Sequence, residues 1–102
     1  MAKTLLGIFF DSKKGYKGDN LYDGNNWFAE LSNDYSIKDY QSLGGLPYRY
    51  RFRITYKGKS QYGMKGDVGA YKNTYPKIGI HKILAERLHF PEQTDYVTLK
   101  QC

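Results

Sequence analysis

The chain has 102 residues, 40% of them apolar and 17% aromatic, and a formal net charge of +6. This length allows one domain with one modest core, and the aromatic content excludes a disordered chain. No apolar run reaches the roughly 20 residues that span a bilayer. Cys102 is the only cysteine, which excludes an internal disulfide. We therefore expect a single domain (1–102) with a cytoplasmic location.

The positive charge is concentrated in the second half of the chain. Residues 1–45 hold five lysines and six acidic residues, a net charge of −1. Residues 46–102 hold eleven Lys/Arg and four Asp/Glu, a net charge of +7. A basic half is the usual electrostatic footprint of a protein that binds nucleic acid.

In chain order, the first half predicts short pieces separated by turns. Residues 5–10 predict a strand, and residues 11–20 predict a loop with three lysines. Asp23-Gly24-Asn25-Asn26 is a strong turn signal. Residues 27–31 then predict a short strand or a helical turn, in which Trp27 is expected to anchor the core. Residues 32–47 are polar and rich in turn formers, so they predict a loop.

Residues 48–56 give the clearest pattern in the chain. Tyr-Arg-Tyr-Arg-Phe-Arg-Ile-Thr-Tyr alternates strictly, with the period of a strand that is buried on one face. The aromatic and aliphatic side chains are expected to point one way, into the core. The other face would present Arg49, Arg51 and Arg53.

The second half predicts a hairpin followed by a strand, a helix and a strand. Lys57-Gly58-Lys59-Ser60 predicts a basic hairpin turn that returns through residues 61–64, and residues 65–77 predict a long polar loop. Strands are predicted at 78–80 and 96–99. The fold class is therefore α+β, mainly β: a small antiparallel sheet or open barrel with one short helix near the C-terminus, at about residues 82–90. In that helix, Ile80, Leu84 and Leu88 recur every four residues, and Pro91 ends the pattern.

The sequence predicts no active site. His81 and His89 lack a paired Cys or carboxylate at metal-ligand spacing, so both are expected to be ordinary surface or rim residues. No base is suggested beside a Ser or Cys, and no spacing gathers carboxylates for a metal-dependent nuclease. We expect a protein that is not an enzyme and that has neither a cofactor nor a metal.

Phosphate binding is the chemistry that the arginine face favours. Alternate residues of a strand are about 6.6 Å apart, a spacing similar to that of successive phosphates, and arginine binds phosphate through its bidentate fork. The alternative is a solvated outer face on which the arginines pair with Asp or Glu of a neighbouring strand. The loop predicted at residues 65–77 is also a candidate, because loops of this length are usually functional or mobile. The candidate nucleic-acid-binding residues are Arg49, Arg51, Arg53, Lys57, Lys59, Lys65, Tyr71, Lys72, Asn73 and Lys77.

Four short motifs carry a resemblance to a known family. They are Gly66-Asp67-Val68-Gly69, Ile80-His81-Lys82, Ala85-Glu86 and Phe90-Pro91. In this order they resemble the pseudobarrel DNA-binding domain of plant B-three factors and the similar N-terminal domain of EcoRII-type restriction enzymes, with His81 in place of the family's proline. The resemblance implies that the loop before Ile80 enters the DNA major groove, with Lys65, Asp67, Tyr71, Lys72, Asn73 and Lys77 as contacts. Residues 80–99 also resemble the strand–helix–strand of dimeric swapped-hairpin transcription factors.

Two functions of different classes follow. The first is a nucleic-acid-binding module, with DNA expected in preference to RNA. The second is a phage- or plasmid-type interaction module that inhibits a host nuclease, polymerase or defence complex by covering an acidic protein surface, since Tyr and Arg are enriched at interfaces. No membrane partner is expected, and a homodimer through an exposed edge of the final strand stays open as an alternative.

Overall fold

The structure is a computed structural model that describes residues 2–32, 45–71 and 76–101. The described residues form six strands and one short helix, which confirms the predicted fold class. The elements are β1 (Ala2–Phe10), β2 (Trp27–Ser32), β3 (Arg51–Tyr56), β4 (Lys59–Ala70), β5 (Lys77–His81), α1 (Lys82–Leu88) and β6 (Thr94–Gln101). Within these ranges, no helix has both the length and the apolar character needed to cross a membrane.

The six strands close into a barrel in the order β1-β5-β2-β4-β3-β6, and β6 pairs again with β1. β1 runs parallel to β5 and β2 parallel to β4, whereas the other neighbours are antiparallel. The structure thus differs from the predicted open barrel or antiparallel sheet in two respects. The barrel is closed, and two of its strand pairs are parallel. Because β6 is paired on both sides within the chain, the open edge behind the homodimer alternative is absent from the described sheet.

The core lies inside the barrel and beneath α1. Strand residues whose side chains point inward alternate with outward ones, and α1 closes the core with its buried face. Leu84 and Leu88 are fully buried together with Ile80, as the four-residue spacing predicts. The buried core cluster consists of Leu5, Phe28, Ile54, Tyr56, Ile78, Ile80, Leu84, Ala85, Leu88, Phe90, Val97 and Leu99.

Two predicted boundaries are wrong. The strand expected at 48–56 begins at Arg51, because the chain turns at Tyr48 and Arg49, and Arg49 adopts a left-handed backbone with φ of 65°. The polar loop expected at 65–77 is shorter, since β4 continues to Ala70 and β5 begins at Lys77. Gly66 lies inside β4, where a Cβ would come within 2.2 Å of the Trp27 ring. Glycine at position 66 therefore lets the buried Trp27 anchor pack against the strand backbone.

A buried ion pair joins two strands near one end of the barrel. Lys65 Nζ lies 2.9 Å from Glu30 Oε1, and both side chains are almost completely buried. The Glu30 carboxylate also accepts from the backbone N–H groups of Gly45 and Leu46 at 3.0 and 2.7 Å, and Lys65 donates to the Leu46 carbonyl at 2.6 Å. The pair thus ties the segment that leads into β3 to strands β2 and β4.

We predict that Glu30→Ala lowers the free energy of unfolding by about 3–5 kcal/mol, because it leaves the Lys65 ammonium buried and unpaired. Urea denaturation measures the loss, and the exposed Glu86→Ala is the control that should change stability little. The double variant Glu30→Leu with Lys65→Met should recover much of the lost stability. A Glu30→Ala protein as stable as the Glu86→Ala control would contradict the role given to this pair.

His81 is buried and caps the helix, which corrects the expectation of a surface or rim residue. Its Nδ1 accepts from the Ile83 N–H at 3.3 Å, and its Nε2 donates to the Ser12 carbonyl at 2.8 Å. Both contacts require the neutral ring with its proton on Nε2. Burial lowers the pKa of His81 below its usual range.

We predict that the protein loses stability as the pH falls below about 6.5, the pKa of His in an unfolded chain. In this window unfolded His81 takes up a proton that folded His81 excludes, so unfolding is favoured at lower pH. The check is to measure urea unfolding between neutral and mildly acidic pH for the wild type and for His81→Asn, whose side chain still caps the helix without titrating. Equal pH dependence in the two proteins would refute the assignment to His81.

Candidate nucleic-acid interface

The two-faced pattern of β3 is present over residues 51–56. Ile54 and Tyr56 are buried in the barrel and Phe52 is half-buried, whereas Arg51 and Arg53 are exposed on the outside. The strand turns tightly into β4 at Lys57 and Gly58, which both have positive φ (45° and 84°), as expected for a two-residue hairpin. The hairpin prediction is therefore confirmed.

The strand register places like charges side by side on the outer surface. Arg53 lies directly opposite Lys100 of β6 on one side and Tyr62 of β4 on the other. Directly opposed side chains in antiparallel strands have Cβ atoms about 4.5–5.5 Å apart, and like charges at this spacing are destabilising. Thr55, one step along β3, shares a hydroxyl hydrogen bond of 2.7 Å with Ser60.

No carboxylate compensates these cations among the described residues. Within residues 2–32, 45–71 and 76–101, Arg51, Arg53 and Lys100 form no salt bridge. The outward positions of β4, β3 and β6 around them carry hydroxyl, aromatic and aliphatic groups instead. The alternative in which acidic neighbours pair with the arginines is therefore absent from this surface. We call the surface formed by Arg51, Arg53, Tyr62 and Lys100 the basic face.

The hairpin adds two lysines at one end of β3. Lys57 and Lys59 are both exposed. Lys57 Nζ lies 3.9 Å from the Asp95 carboxylate, a long and exposed contact of little energy. Asp95 also accepts a 2.6 Å hydrogen bond from the Tyr56 hydroxyl, which lowers the pKa of Asp95. Lys59 lies directly opposite the buried Tyr56, and Lys57 Nζ lies 5.3 Å from the centre of the Tyr56 ring. The hairpin lysines therefore stand at the end of the barrel and not in the row of the β3 arginines.

A polar pocket of about 160 Å³ adjoins the basic face near the start of β3. Arg51 and Tyr62 belong to both the face and the pocket, and Arg87 of α1 enters from the helix side. Arg87 Nη1 donates to the Gly24 carbonyl at 2.7 Å and to Asn26 Oδ1 at 2.6 Å. The lining residues are Gly24, Asn25, Asn26, Arg51, Tyr62, Met64 and Arg87.

Three of the predicted contacts do not belong to the basic face. Arg49 lies in the turn before β3, where its guanidinium is 3.2 Å from the Asp19 carboxylate and packs over the Trp27 and Tyr48 rings. Lys65 and Lys77 are buried, with 4% and 1% of their surface exposed. Burial lowers the pKa of Lys77. The structure thus removes Lys65 and Lys77 from any surface that a ligand could reach.

The remaining predicted contacts lie elsewhere. Tyr71 is exposed and borders a second cavity of about 170 Å³ on the outside of β1, β5, β2 and β4, together with Asp67. Burial raises the pKa of Asp67. Lys72 and Asn73 lie outside the described residues. Because residues 65–70 belong to β4, the Gly66–Gly69 motif is strand rather than the DNA-entering loop that the family resemblance implies.

Lys100 and Arg87 are not among the contacts predicted from the sequence. Lys100 follows the alternation of Tyr96 and Thr98, which could have placed it on the outer side of β6, but only the register sets it opposite Arg53. Arg87 stands in the last helical turn, where a basic residue is common for capping reasons alone. Among the described residues, no cluster of His, Cys, Asp and Glu could hold a metal ion.

Comparison with known proteins supports the barrel and gives no function. No protein-family model matches the chain, and no curated protein matches it in sequence. The chain is similar in structure to the rationally designed mkDPBB_sym2 protein, a double-psi β-barrel known from a crystal structure. The TM-score is 0.51 at 16% sequence identity, over 98% of this chain and 100% of the designed chain. At this identity the likeness concerns the fold alone.

Proposed function

We propose that this protein is a non-enzymatic nucleic-acid-binding protein, with DNA preferred over RNA, which binds phosphates on its basic face. The observation that carries the proposal is the direct opposition of Arg53 and Lys100 with no carboxylate beside them among the described residues. Such a pair costs stability in the free protein. A polyanion removes this cost, because each phosphate that binds between the two cations neutralises the repulsion.

The remaining groups of the face suit the same ligand. Arg51 extends the row of cations along β3. Tyr62 is 61% exposed beside Arg53, so its ring is available for stacking on a base. Guanidinium groups hold phosphate through two parallel hydrogen bonds, which gives the face geometric preference as well as charge.

An acidic protein surface is the second candidate ligand. Tyr62 and Tyr96 are 61% and 54% exposed on β4 and β6, the two strands that flank β3, and Tyr with Arg is the composition of interface hot spots. An inhibitor of a host nuclease, polymerase or defence complex would use these side chains as anchors. Binding measurements with the two kinds of ligand distinguish the two candidate functions. Nanomolar binding of a folded acidic protein, together with no binding of nucleic acids, would favour the inhibitor.

We predict that Lys100→Ala and Arg53→Ala each weaken binding to a short DNA duplex by about tenfold at low salt, the loss expected for a charge-assisted phosphate contact. Neither variant should unfold more easily than the wild type, because each removes one of two repelling charges, and a gain of roughly 0.2–1 kcal/mol is expected. Fluorescence anisotropy and urea denaturation measure the two quantities.

The matched control is Lys13→Ala, which removes an exposed lysine from the loop between β1 and β2. It changes the net charge by the same amount as Lys100→Ala but lies outside the basic face. If the three variants lose equal affinity, binding follows net charge and the proposed face is wrong. Undetectable binding of wild-type protein to duplex and single-stranded DNA and RNA at low salt would reject the nucleic-acid function.

A further inference from the structure

The polar pocket beside the basic face has the character of an anion site. Two arginines line it from separate elements, Arg51 from β3 and Arg87 from α1, and Asn25 and Asn26 belong to the same polar lining. None of its lining residues is acidic. Two converging arginines without a carboxylate form a site for a group that carries more than one negative charge.

Arg87 is held in place before any ligand arrives. Both of its hydrogen bonds, to the Gly24 carbonyl and to Asn26 Oδ1, use Nη1. Among the described residues, no acceptor contacts its Nη2 or Nε, and none contacts the Arg51 guanidinium. Because Arg87 is already fixed, less side-chain entropy is lost when an anion binds to its remaining N–H groups.

The pocket is bounded on the side away from the basic face. Asn26 Nδ2 donates to Gln61 Oε1 and to the Tyr62 carbonyl, both at 3.1 Å, and thus fastens residues 24–26 to β4. The two Arg87 contacts fasten the same residues to α1. A nucleic-acid strand that follows Lys100, Arg53 and Arg51 therefore arrives at a wall made by residues 24–26.

We infer that this pocket binds a phosphate monoester, and that its source is the terminal phosphate of a nucleic-acid strand lying on the basic face. A phosphate monoester carries about −1.5 to −2 charges at neutral pH and three strong acceptor oxygens. An internal phosphodiester carries a single charge and continues into the next nucleotide. Tyr62 at the pocket mouth is placed to stack on the terminal base. The choice of a strand end as the source rests on the proposed function.

The test compares three single-stranded DNA oligonucleotides of one sequence: one with a 5′-phosphate, one with a 3′-phosphate and one with both ends unphosphorylated. One of the phosphorylated strands should bind wild-type protein on the order of tenfold tighter than the unphosphorylated strand. Arg51→Gln and Arg87→Gln should remove this preference. Lys100→Ala should weaken all three strands equally and leave the preference intact, which separates the pocket from the rest of the face.

Arg87→Gln also removes contacts that fasten α1 to residues 24–26, so Arg51→Gln is the decisive variant. Arg51 makes no such contact among the described residues, and its thermal unfolding should match that of the wild type. Equal affinity of the three strands for wild-type protein overturns the inference and leaves the proposed function standing.

Inorganic phosphate and a nucleoside monophosphate are the remaining probes, read by NMR chemical shifts of the arginine side chains. If no oligonucleotide binds, the proposed function fails. In that case, shifts at Arg51 and Arg87 of the wild type, with the Arg87 shift lost in Arg51→Gln, would support the phosphate pocket and overturn the strand end as its source. The absence of any shift would overturn the pocket itself.

Discussion

Closure of the barrel is the constraint on which the arrangement of charges depends. A strand in a closed barrel has a neighbour on each side and one face in the core, so its outward side chains must lie beside those of two other strands. For β3 these neighbours are β4 and β6, and the register sets Arg53 between Tyr62 and Lys100. A slip of one residue in the register of β3 would turn Arg53 into the core. The packing of Ile54 in the core therefore also keeps the arginines on the outer face.

The chain pairs its cations selectively. Lys65 is buried and has Glu30, Arg49 has Asp19, and Lys57 has a distant contact with Asp95. The cations of the basic face have no such partner among the described residues. An unpaired lysine inside the barrel would be very costly, whereas unpaired cations at the surface cost little and keep their attraction for an anionic ligand. Acidic residues thus lie beside Lys65 and Arg49 and are absent from the basic face among the described residues.

Local patterns predicted much of the fold. The alternation of residues 51–56 and the four-residue spacing from Ile80 to Leu88 each reflect one element and its buried side, and both are confirmed. The parallel pairs and the closure were not predicted, because the register between distant strands is not encoded in the period of either strand. Residues 65–70 looked like loop for a similar reason: Gly and Asp are poor strand formers, and Lys65 is buried only because Glu30, 35 residues away, pairs with it.

The candidate site could be predicted only in part. Arg51 and Arg53 were placed on one outer face because both stand in one regular strand, whereas Arg49 was assigned to the same face because that strand was started three residues early. Lys100 and Arg87 belong to the site through the closing register and through the position of α1, which bring together residues from β3, the helix and the last strand. The barrel agrees with the fold that the motif resemblance implies, but the part of the motif expected to enter DNA lies in β4.

The salt dependence of binding tests the central claim most directly. If the basic face neutralises about three or four phosphates, a plot of log affinity against log salt concentration for a DNA duplex should fall with a slope of roughly −3 to −4. Removing Lys100 should make that slope shallower by about one. A wild-type slope near zero, or a slope unchanged in Lys100→Ala, would show that the opposed cations of the basic face do not bind phosphates.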